Sequence, residues 1–326
     1  MTAPWTPPPV PASAPPPPGT PRAKLREDVA DTLKVLPGHF TTKTFIEGLE
    51  AGDLFSLNSM LGGSIEIQVV ESLNKLRDLW DPTDHWREYR FVRSSQTFPD
   101  VRLQTDSPRL IASGAKVVLG IELKGWYLLS KENQPSFRYT VNRAACDLHD
   151  LVAVYPWHLT NVLSGYPEVY RPYVESAYDA AVLRDYYWTV ERRMTDLAKP
   201  TPPSRAAGYY DIVPPATAST VHPYPDPKSK VSDSGKNDSG KNFGRLGRSK
   251  LLMADYIEEM LHTPVSGIEA RHWTAFFKNY ADGAQKGTLD QKITKMVTDH
   301  AKASGLLSTD IKDLLDAWVA LLPETR

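Results

Sequence analysis

The chain has 326 residues, more than one average domain needs, and its 41% hydrophobic residues suffice for a substantial core. Its formal net charge of -1 excludes the globally basic surface that marks many nucleic-acid-binding proteins, so any such affinity must come from a local patch. The single cysteine, Cys146, excludes an intrachain disulfide, and we expect it to be a small buried residue rather than a nucleophile. No apolar run approaches the ~18 residues of a membrane span, and the N-terminal residues lack the apolar segment behind basic residues that marks a secretory signal, so we expect a soluble cytoplasmic protein that does not enter a membrane.

The first 22 residues are rich in proline and predict an extended tail. Proline lacks a backbone N–H and has a fixed φ, so this composition favours polyproline II geometry over a helix or a central strand. Such a segment either docks on a partner that recognises proline or, as we favour, remains a solvated, disordered tail. We therefore place the start of the folded core at residue 23.

Helical periodicity dominates residues 22–80. Two short amphipathic stretches come first, one with Leu25, Val29, Leu33 and Val35 and the other with Phe45, Leu49 and Leu54. The strongest pattern covers residues 64–80, where Ser64 follows two glycines and is a suitable N-cap, and where Asp81-Pro82 ends the helix. At 100° per residue one apolar stripe holds Ile65, Val69, Leu73, Leu76 and Trp80.

The periodicity then changes to the alternation that is typical of strands. It predicts strands over residues 89–93, 101–103, 116–129 and 137–141. Residues 151–155 form an apolar run that suits a buried strand, which Pro156 should end. Residues 174–198 predict a long helix rich in tyrosine and tryptophan. This order of elements predicts an α/β core over residues 23–198, with a central mixed sheet flanked by helices.

Two further segments follow the core. Residues 199–248 are dominated by Pro, Ser, Gly, Lys, Asp and Asn, which predicts a flexible linker. Residues 228–250 carry seven basic residues against two acids, and form either an arm that follows DNA or, as we favour, a plain spacer. Residues 249–326 return to helical periodicity and predict a small all-helical C-terminal domain. Its signals are capping boxes at Ser266/Glu269 and Thr288/Gln291 and an apolar face of Ile311, Leu314, Leu315, Trp318 and Leu322.

The residues with the clearest chemical implication lie on two of the predicted strands. Asp100 follows Pro99 at the start of a short strand, and Glu122 and Lys124 lie on the long strand after 21 intervening residues. Side chains alternate along a strand, so Glu122 and Lys124 share one face, and strand pairing can bring Asp100 to the same place. A carboxylate and an ammonium group are costly to bury in such an apolar strand, which indicates a function.

Two carboxylates a few ångström apart repel each other unless a cation lies between them, and hard oxygen ligands suit Mg²⁺. A neighbouring lysine neutralises part of the charge and can orient or deprotonate a water molecule. Together these groups supply a nucleophile, a Lewis acid and charge stabilisation for the hydrolysis of a phosphodiester. The isolated histidines His149 and His158, and the absence of an HxxxH or CxxC motif, do not favour zinc.

Pro99-Asp100 followed by Glu122-Leu123-Lys124 resembles the motif of the PD-(D/E)xK nuclease superfamily, and within it type II restriction endonucleases. The resemblance covers about residues 61–198 and neither the tail nor the C-terminal segment. It implies a restriction-endonuclease-like core in which Asp100 and Glu122 bind the metal and Lys124 is the catalytic lysine. Many members add an acid from the preceding helix. Here Glu66 borders the predicted apolar stripe whereas Glu71 points to solvent, so Glu66 is either a third ligand, as we favour, or a surface charge.

The resemblance implies a Mg²⁺-dependent endonuclease, with Mn²⁺ as a substitute, that cleaves double-stranded DNA in a sequence-specific way for restriction or phage defence. Cutting two strands with one site per chain favours a homodimer, and any protective methylation would belong to a separate DNA methyltransferase. Lys131, Arg138 and Arg143 follow the long strand and either contact phosphates or form a solvated loop. The alternatives are a repair or recombination nuclease or an RNase on the same core, and a DNA-binding or assembly protein that does not cleave.

Overall fold

The computed structural model describes residues 5–40, 45–46, 57–94, 97–130, 132–135, 137–141, 143–200 and 244–283. The candidate phosphate contact Lys131, most of the predicted linker and the helical signals beyond residue 283 lie outside the described residues, as do Leu49 and Leu54. Within the described part of the chain, no helix is long and apolar enough to cross a membrane.

The first helix, α1 (Pro21–Val35), begins at a well-formed N-cap. The Thr20 side chain accepts a hydrogen bond from the Ala23 N–H, and proline occupies the first helical position, where its missing N–H costs nothing. Leu25, Val29 and Leu33 are buried as predicted, whereas Val35 at the helix end is half exposed. A short 3-10 turn, Leu36–His39, follows.

The second helical region is longer and less regular than predicted. Helix α2 (Leu57–Lys75) begins before Ser64, so the predicted N-cap there is wrong, and a separate turn α3 (Arg77–Trp80) follows a break at Leu76. Each glycine in a helix interior costs about 1 kcal/mol, which the burial of the large residues of the apolar stripe outweighs. Ile65, Val69, Leu73 and Trp80 are buried as the stripe predicts.

The centre of the fold is a mixed sheet that helices flank. Its strands are β1 (Arg90–Arg93), β2 (Val101–Gln104), β3 (Val117–Tyr127), β4 (Leu151–Leu159), β5 (Pro167–Val169) and β6 (Tyr173–Ser176). The first three form an antiparallel meander, with a short helix α4 (Pro108–Ala112) between β2 and β3. Strand β4 is parallel to β3, and β5 and β6 both pair antiparallel with the far edge of β4.

Two strand predictions are wrong. Pro156 does not end β4, which continues to Leu159. The Pro156 carbonyl accepts a hydrogen bond from the Tyr170 N–H, in the gap between β5 and β6. The missing N–H of Pro156 faces the same gap, so no hydrogen bond between strands is lost. Residues 137–141 form no regular strand. The Tyr139 N–H donates to the Gly244 carbonyl, and the buried guanidinium of Arg184 holds the Tyr139 and Val141 carbonyls, so this backbone is bound outside the sheet.

The predicted long helix at 174–198 is also divided. Its first residues form β6, because they pair with the edge of β4. Helix α5 (Ala177–Tyr186) follows, with Ser176 as its N-cap, whose Oγ accepts a hydrogen bond from the Asp179 N–H. A turn of π-helix, Tyr187–Glu191, and helix α6 (Arg192–Leu197) complete this region.

The described part of the proline-rich segment, residues 5–20, lies along α5 and α6. Asp179, Tyr186 and Arg193 are spaced seven residues apart and so share one side of the helical segment. The contacts are Ser13 Oγ and Ala14 N–H with the Asp179 carboxylate, the Tyr186 hydroxyl with the Pro8 carbonyl, and the Arg193 guanidinium over the Trp5 ring. This part of the predicted tail is therefore held against the core.

The described part of the C-terminal segment is not wholly helical. Between α7 (Ala254–Leu261) and α8 (Ala270–Gly283) runs a hairpin of two short strands, β7 (Pro264–Val265) and β8 (Ile268–Glu269). Ser266 occupies the hairpin turn at φ 49°, so the predicted capping box there is wrong. Leu246, Met253 and Ile257 belong to the same hydrophobic cluster as the sheet, so this segment extends the main core.

Candidate active site

The candidate site lies on one face of the sheet, opposite the face that α1 and α2 cover. The register pairs Arg102 with Gly120 and Val101 with Ile121, so Asp100 at the start of β2 belongs to the face that carries Glu122 and Lys124. The other face points to the helices. Phe91 on that face packs against Trp80, and the Tyr155 hydroxyl of β4 donates to the Leu33 carbonyl of α1.

Asp100 is fixed where the pairing of β2 with β3 ends. Beyond Ile121, β3 has no backbone pairing with β2. There the Asp100 carboxylate replaces a backbone acceptor of β2, since its Oδ2 accepts a hydrogen bond of 2.9 Å from the Leu123 N–H. A backbone donor fixes the carboxylate beside Glu122, independently of any side-chain rotamer on β3.

Gly120 permits this close arrangement of the two strands. A Cβ atom at this position would lie 2.4 Å from Cγ of Pro99 and 2.8 Å from Oδ1 of Asp150. The same Asp150 oxygen accepts the Gly120 N–H at 2.8 Å, and its other oxygen accepts the Asp147 N–H. The fully buried Asp150 thus ties the start of β4 to β3 directly behind the Pro99-Asp100 turn.

The Lys124 ammonium lies between the two carboxylates. Its Nζ is 2.8 Å from Oε1 of Glu122 and 3.8 Å from Oδ2 of Asp100. The Glu122 side chain is 1% exposed, whereas those of Asp100 and Lys124 are 14% and 18% exposed, so the site opens to solvent on the side of the latter two. Burial lowers the pKa of Lys124 most strongly, but the nearby charges of Glu122 and Asp100 outweigh it, and the pKa is raised.

Glu66 lies near this group without joining it. Its carboxylate is among the charges that raise the pKa of Lys124, and it forms an ion pair of 2.7 Å with the guanidinium of Arg93. No group of three His, Cys, Asp or Glu side chains in the described ranges is arranged to hold a metal. Glu71 is exposed, as the helical phase predicts.

Two of the predicted phosphate contacts, Arg138 and Arg143, lie within the described residues. Arg138 and Arg143 are exposed on the connection between β3 and β4. Arg143 begins a 3-10 turn. Burial raises the pKa of Asp185 on α5, and the positive charge of Arg143 is among the effects that lower it.

Residues behind and beside the site were not found from the sequence. The charge of Glu122 contributes to the raised pKa values of Tyr139 and Cys146, for which burial is the main cause, so both groups lie within electrostatic range behind it. Burial raises the pKa of the Cys146 thiol, although the residue is partly rather than fully buried, unlike the small buried residue that the sequence predicts. Trp126, two residues beyond Lys124 on the same face, is fully buried next to Tyr256 of α7, 6.5 Å between ring centroids. Nothing in the local sequence predicts a contact across 130 residues.

Comparison with known proteins adds no family to this geometry. The chain matches no protein-family model, no curated protein and no solved structure. The interpretation of the site therefore rests on the placement of Asp100, Glu122 and Lys124 and on the resemblance of their motif.

Proposed function

We propose that the chain is a Mg²⁺-dependent endonuclease that hydrolyses phosphodiester bonds in double-stranded DNA, on a restriction-endonuclease-like core. The observation that carries this proposal is the Lys124 ammonium between carboxylates from two neighbouring strands. Stability does not explain the arrangement, because an apolar set of the same volume would often be at least as stable as a buried ion pair. The three polar groups lie at a place that opens to solvent, as a reaction site requires.

The donor set fits the proposed cation. A positively charged group already lies between Asp100 and Glu122, and both offer only carboxylate oxygens, which suit Mg²⁺ and Mn²⁺ better than softer metals. We propose that these two residues hold the ion and that Glu66 serves as a further acid. When bound, the ion supplies Lewis-acid activation of the phosphate and of a water molecule.

The side chains of the chain have separate tasks in this proposal. Asp100 is oriented by the Leu123 N–H, which donates to the same oxygen, Oδ2, that lies 3.8 Å from Nζ of Lys124. The charges of Glu122 and Asp100 outweigh burial and raise the pKa of Lys124, which favours its ammonium form, and its side chain is partly exposed, so it can donate to a phosphate oxygen and offset the negative charge of the transition state. The buried Glu122 carboxylate holds the Lys124 ammonium through their 2.8 Å ion pair.

The remaining features of the function follow from the substrate. Two DNA strands and one site per chain favour a homodimer, and sequence-specific cutting in restriction or phage defence is the role we propose. With a net charge of -1, the DNA surface must be a local patch, for which exposed Arg138 and Arg143 are candidates.

The proposal is tested by incubating the purified chain with duplex DNA, single-stranded DNA and RNA in Mg²⁺, in Mn²⁺ or in EDTA. Duplex DNA should be cut only with a divalent cation, and Asp100→Asn and Glu122→Gln should each lower the rate by about a hundredfold or more. Glu71→Gln, which removes an exposed acid, is the matched control. Cutting in EDTA or full activity of Glu122→Gln would contradict the proposal, and cutting confined to RNA would change the substrate. Sequencing the DNA ends would then give the recognition site.

A further inference from the structure

We propose that Lys124 is the resident counter-cation of the Asp100–Glu122 pair, and that a divalent cation binds by displacing its ammonium group from these carboxylates. This inference rests on the proposed function, because it concerns how the same site is loaded. Lys124 would compete with the metal in the resting protein, so that its removal strengthens metal binding while it abolishes cleavage.

A divalent cation and the Lys124 ammonium would compete for the same two carboxylate oxygens. A magnesium ion binds carboxylate oxygens at about 2.0–2.1 Å, and Nζ of Lys124 already lies 2.8 Å from the Glu122 oxygen and 3.8 Å from the Asp100 oxygen. An ion bound between the same two oxygens would lie within a few ångström of the ammonium. The repulsion between the two positive groups is stronger here than in bulk water, because one of the carboxylates is 1% exposed and water screens the site less.

The lysine rather than the acids is able to move. Glu122 is buried, and Asp100 is held by the backbone N–H of Leu123. Lys124 has a flexible four-carbon stem and is the most exposed of the three side chains, so its ammonium can swing toward solvent with its charge intact. After displacement it lies beside the bound ion, where a DNA phosphate can take the place of its lost carboxylate partners.

The test is the affinity for Mn²⁺, measured by isothermal titration calorimetry on the full chain without DNA. Lys124→Met should bind Mn²⁺ about tenfold more tightly than the wild type, or better, because the competing charge is gone. Lys116→Met is the matched control. It removes the same charge from an exposed lysine that directly precedes β3, and its affinity should equal that of the wild type. Equal or weaker binding by Lys124→Met, or no Mn²⁺ binding by any of the proteins, would overturn the inference.

A second measurement covers the case in which Lys124→Met folds poorly, since it leaves the Glu122 carboxylate buried without its ammonium partner. The melting temperature is followed by circular dichroism with and without MnCl₂. A cation that replaces the lost ammonium should raise the melting temperature of Lys124→Met by more than that of the wild type. An equal or smaller rise would count against displacement.

Cleavage assays keep this inference separate from the proposed function. If the wild type cuts DNA but Lys124→Met binds Mn²⁺ no more tightly, the displacement is refuted and the nuclease assignment stands. If Lys124→Met binds more tightly but the wild type cuts no DNA, the displacement stands and the nuclease assignment falls.

Discussion

Gly120→Ala should damage both the fold and the candidate site. The new Cβ atom would lie 2.4 Å from Pro99 Cγ and 2.8 Å from Asp150 Oδ1, and neither neighbour can yield easily. Pro99 is a ring directly before Asp100, and Asp150 is fully buried and hydrogen-bonded to two backbone N–H groups. Overpacking of this kind costs about 1–3 kcal/mol, and a weakened bond to Asp150 adds about 0.5–1.5 kcal/mol. The reduced freedom of the unfolded chain returns about 0.4–1 kcal/mol, which leaves a net loss of about 2 kcal/mol.

Thermal unfolding followed by circular dichroism measures this loss. For a domain of this size a net loss of about 2 kcal/mol corresponds to a melting temperature lower by about 4–8 °C. Gly38→Ala is the control, since its added Cβ would meet no atom within 4 Å, and it should melt at or slightly above the wild-type temperature. A Gly120→Ala protein that melts with the wild type and cuts DNA at the same rate would refute the packing described between β2, β3 and Asp150.

Three further predictions follow from single side chains. Glu66→Gln should slow DNA cleavage much more than Glu71→Gln, because only Glu66 acts electrostatically on Lys124; equal initial rates for the two variants would contradict this. Asp179→Ala should lower the free energy of unfolding by about 2 kcal/mol, since its carboxylate accepts two hydrogen bonds from the proline-rich segment, and an unchanged urea midpoint would show that the segment is not held there. Burial lowers the pKa of His158, so the unfolded chain binds this proton more readily and stability should decline as pH falls below about 6.5. Urea midpoints across this range should depend less on pH in His158→Gln, and an identical pH dependence would exclude His158 as its source.

The local chemistry of the candidate site could be predicted because it depends on strand geometry alone. Alternation along β3 places Glu122 and Lys124 on one face whatever the rest of the chain does. The prediction that Asp100 lies beside Glu122 and Lys124 required one further assumption, namely that its strand pairs with β3. In the meander of β1, β2 and β3 the two strands are indeed neighbours. The helical phase of α2 likewise separates half-buried Glu66 from exposed Glu71.

Features that depend on distant partners could not be predicted. Residues 173–176 form a strand because the edge of β4 offers backbone partners, although their local pattern continues into a helix. Tyr256 covers Trp126 from a segment that composition separates from the core. The ion pair of Glu66 with Arg93 depends on how closely α2 approaches the end of β1, and periodicity contains no information on that distance.

The central claim is that Asp100, Glu122 and Lys124 form one site for phosphodiester hydrolysis. The most direct measurement compares the rates at which Lys124→Met and Lys116→Met cut duplex DNA in Mg²⁺, with DNA binding measured in parallel in Ca²⁺. Both variants lose one positive charge near β3, but only one loses the ammonium between the carboxylates. We predict that Lys124→Met binds DNA and cuts it about a hundredfold more slowly or worse, while Lys116→Met cuts as the wild type does. Cleavage by Lys124→Met at the wild-type rate would contradict the claim.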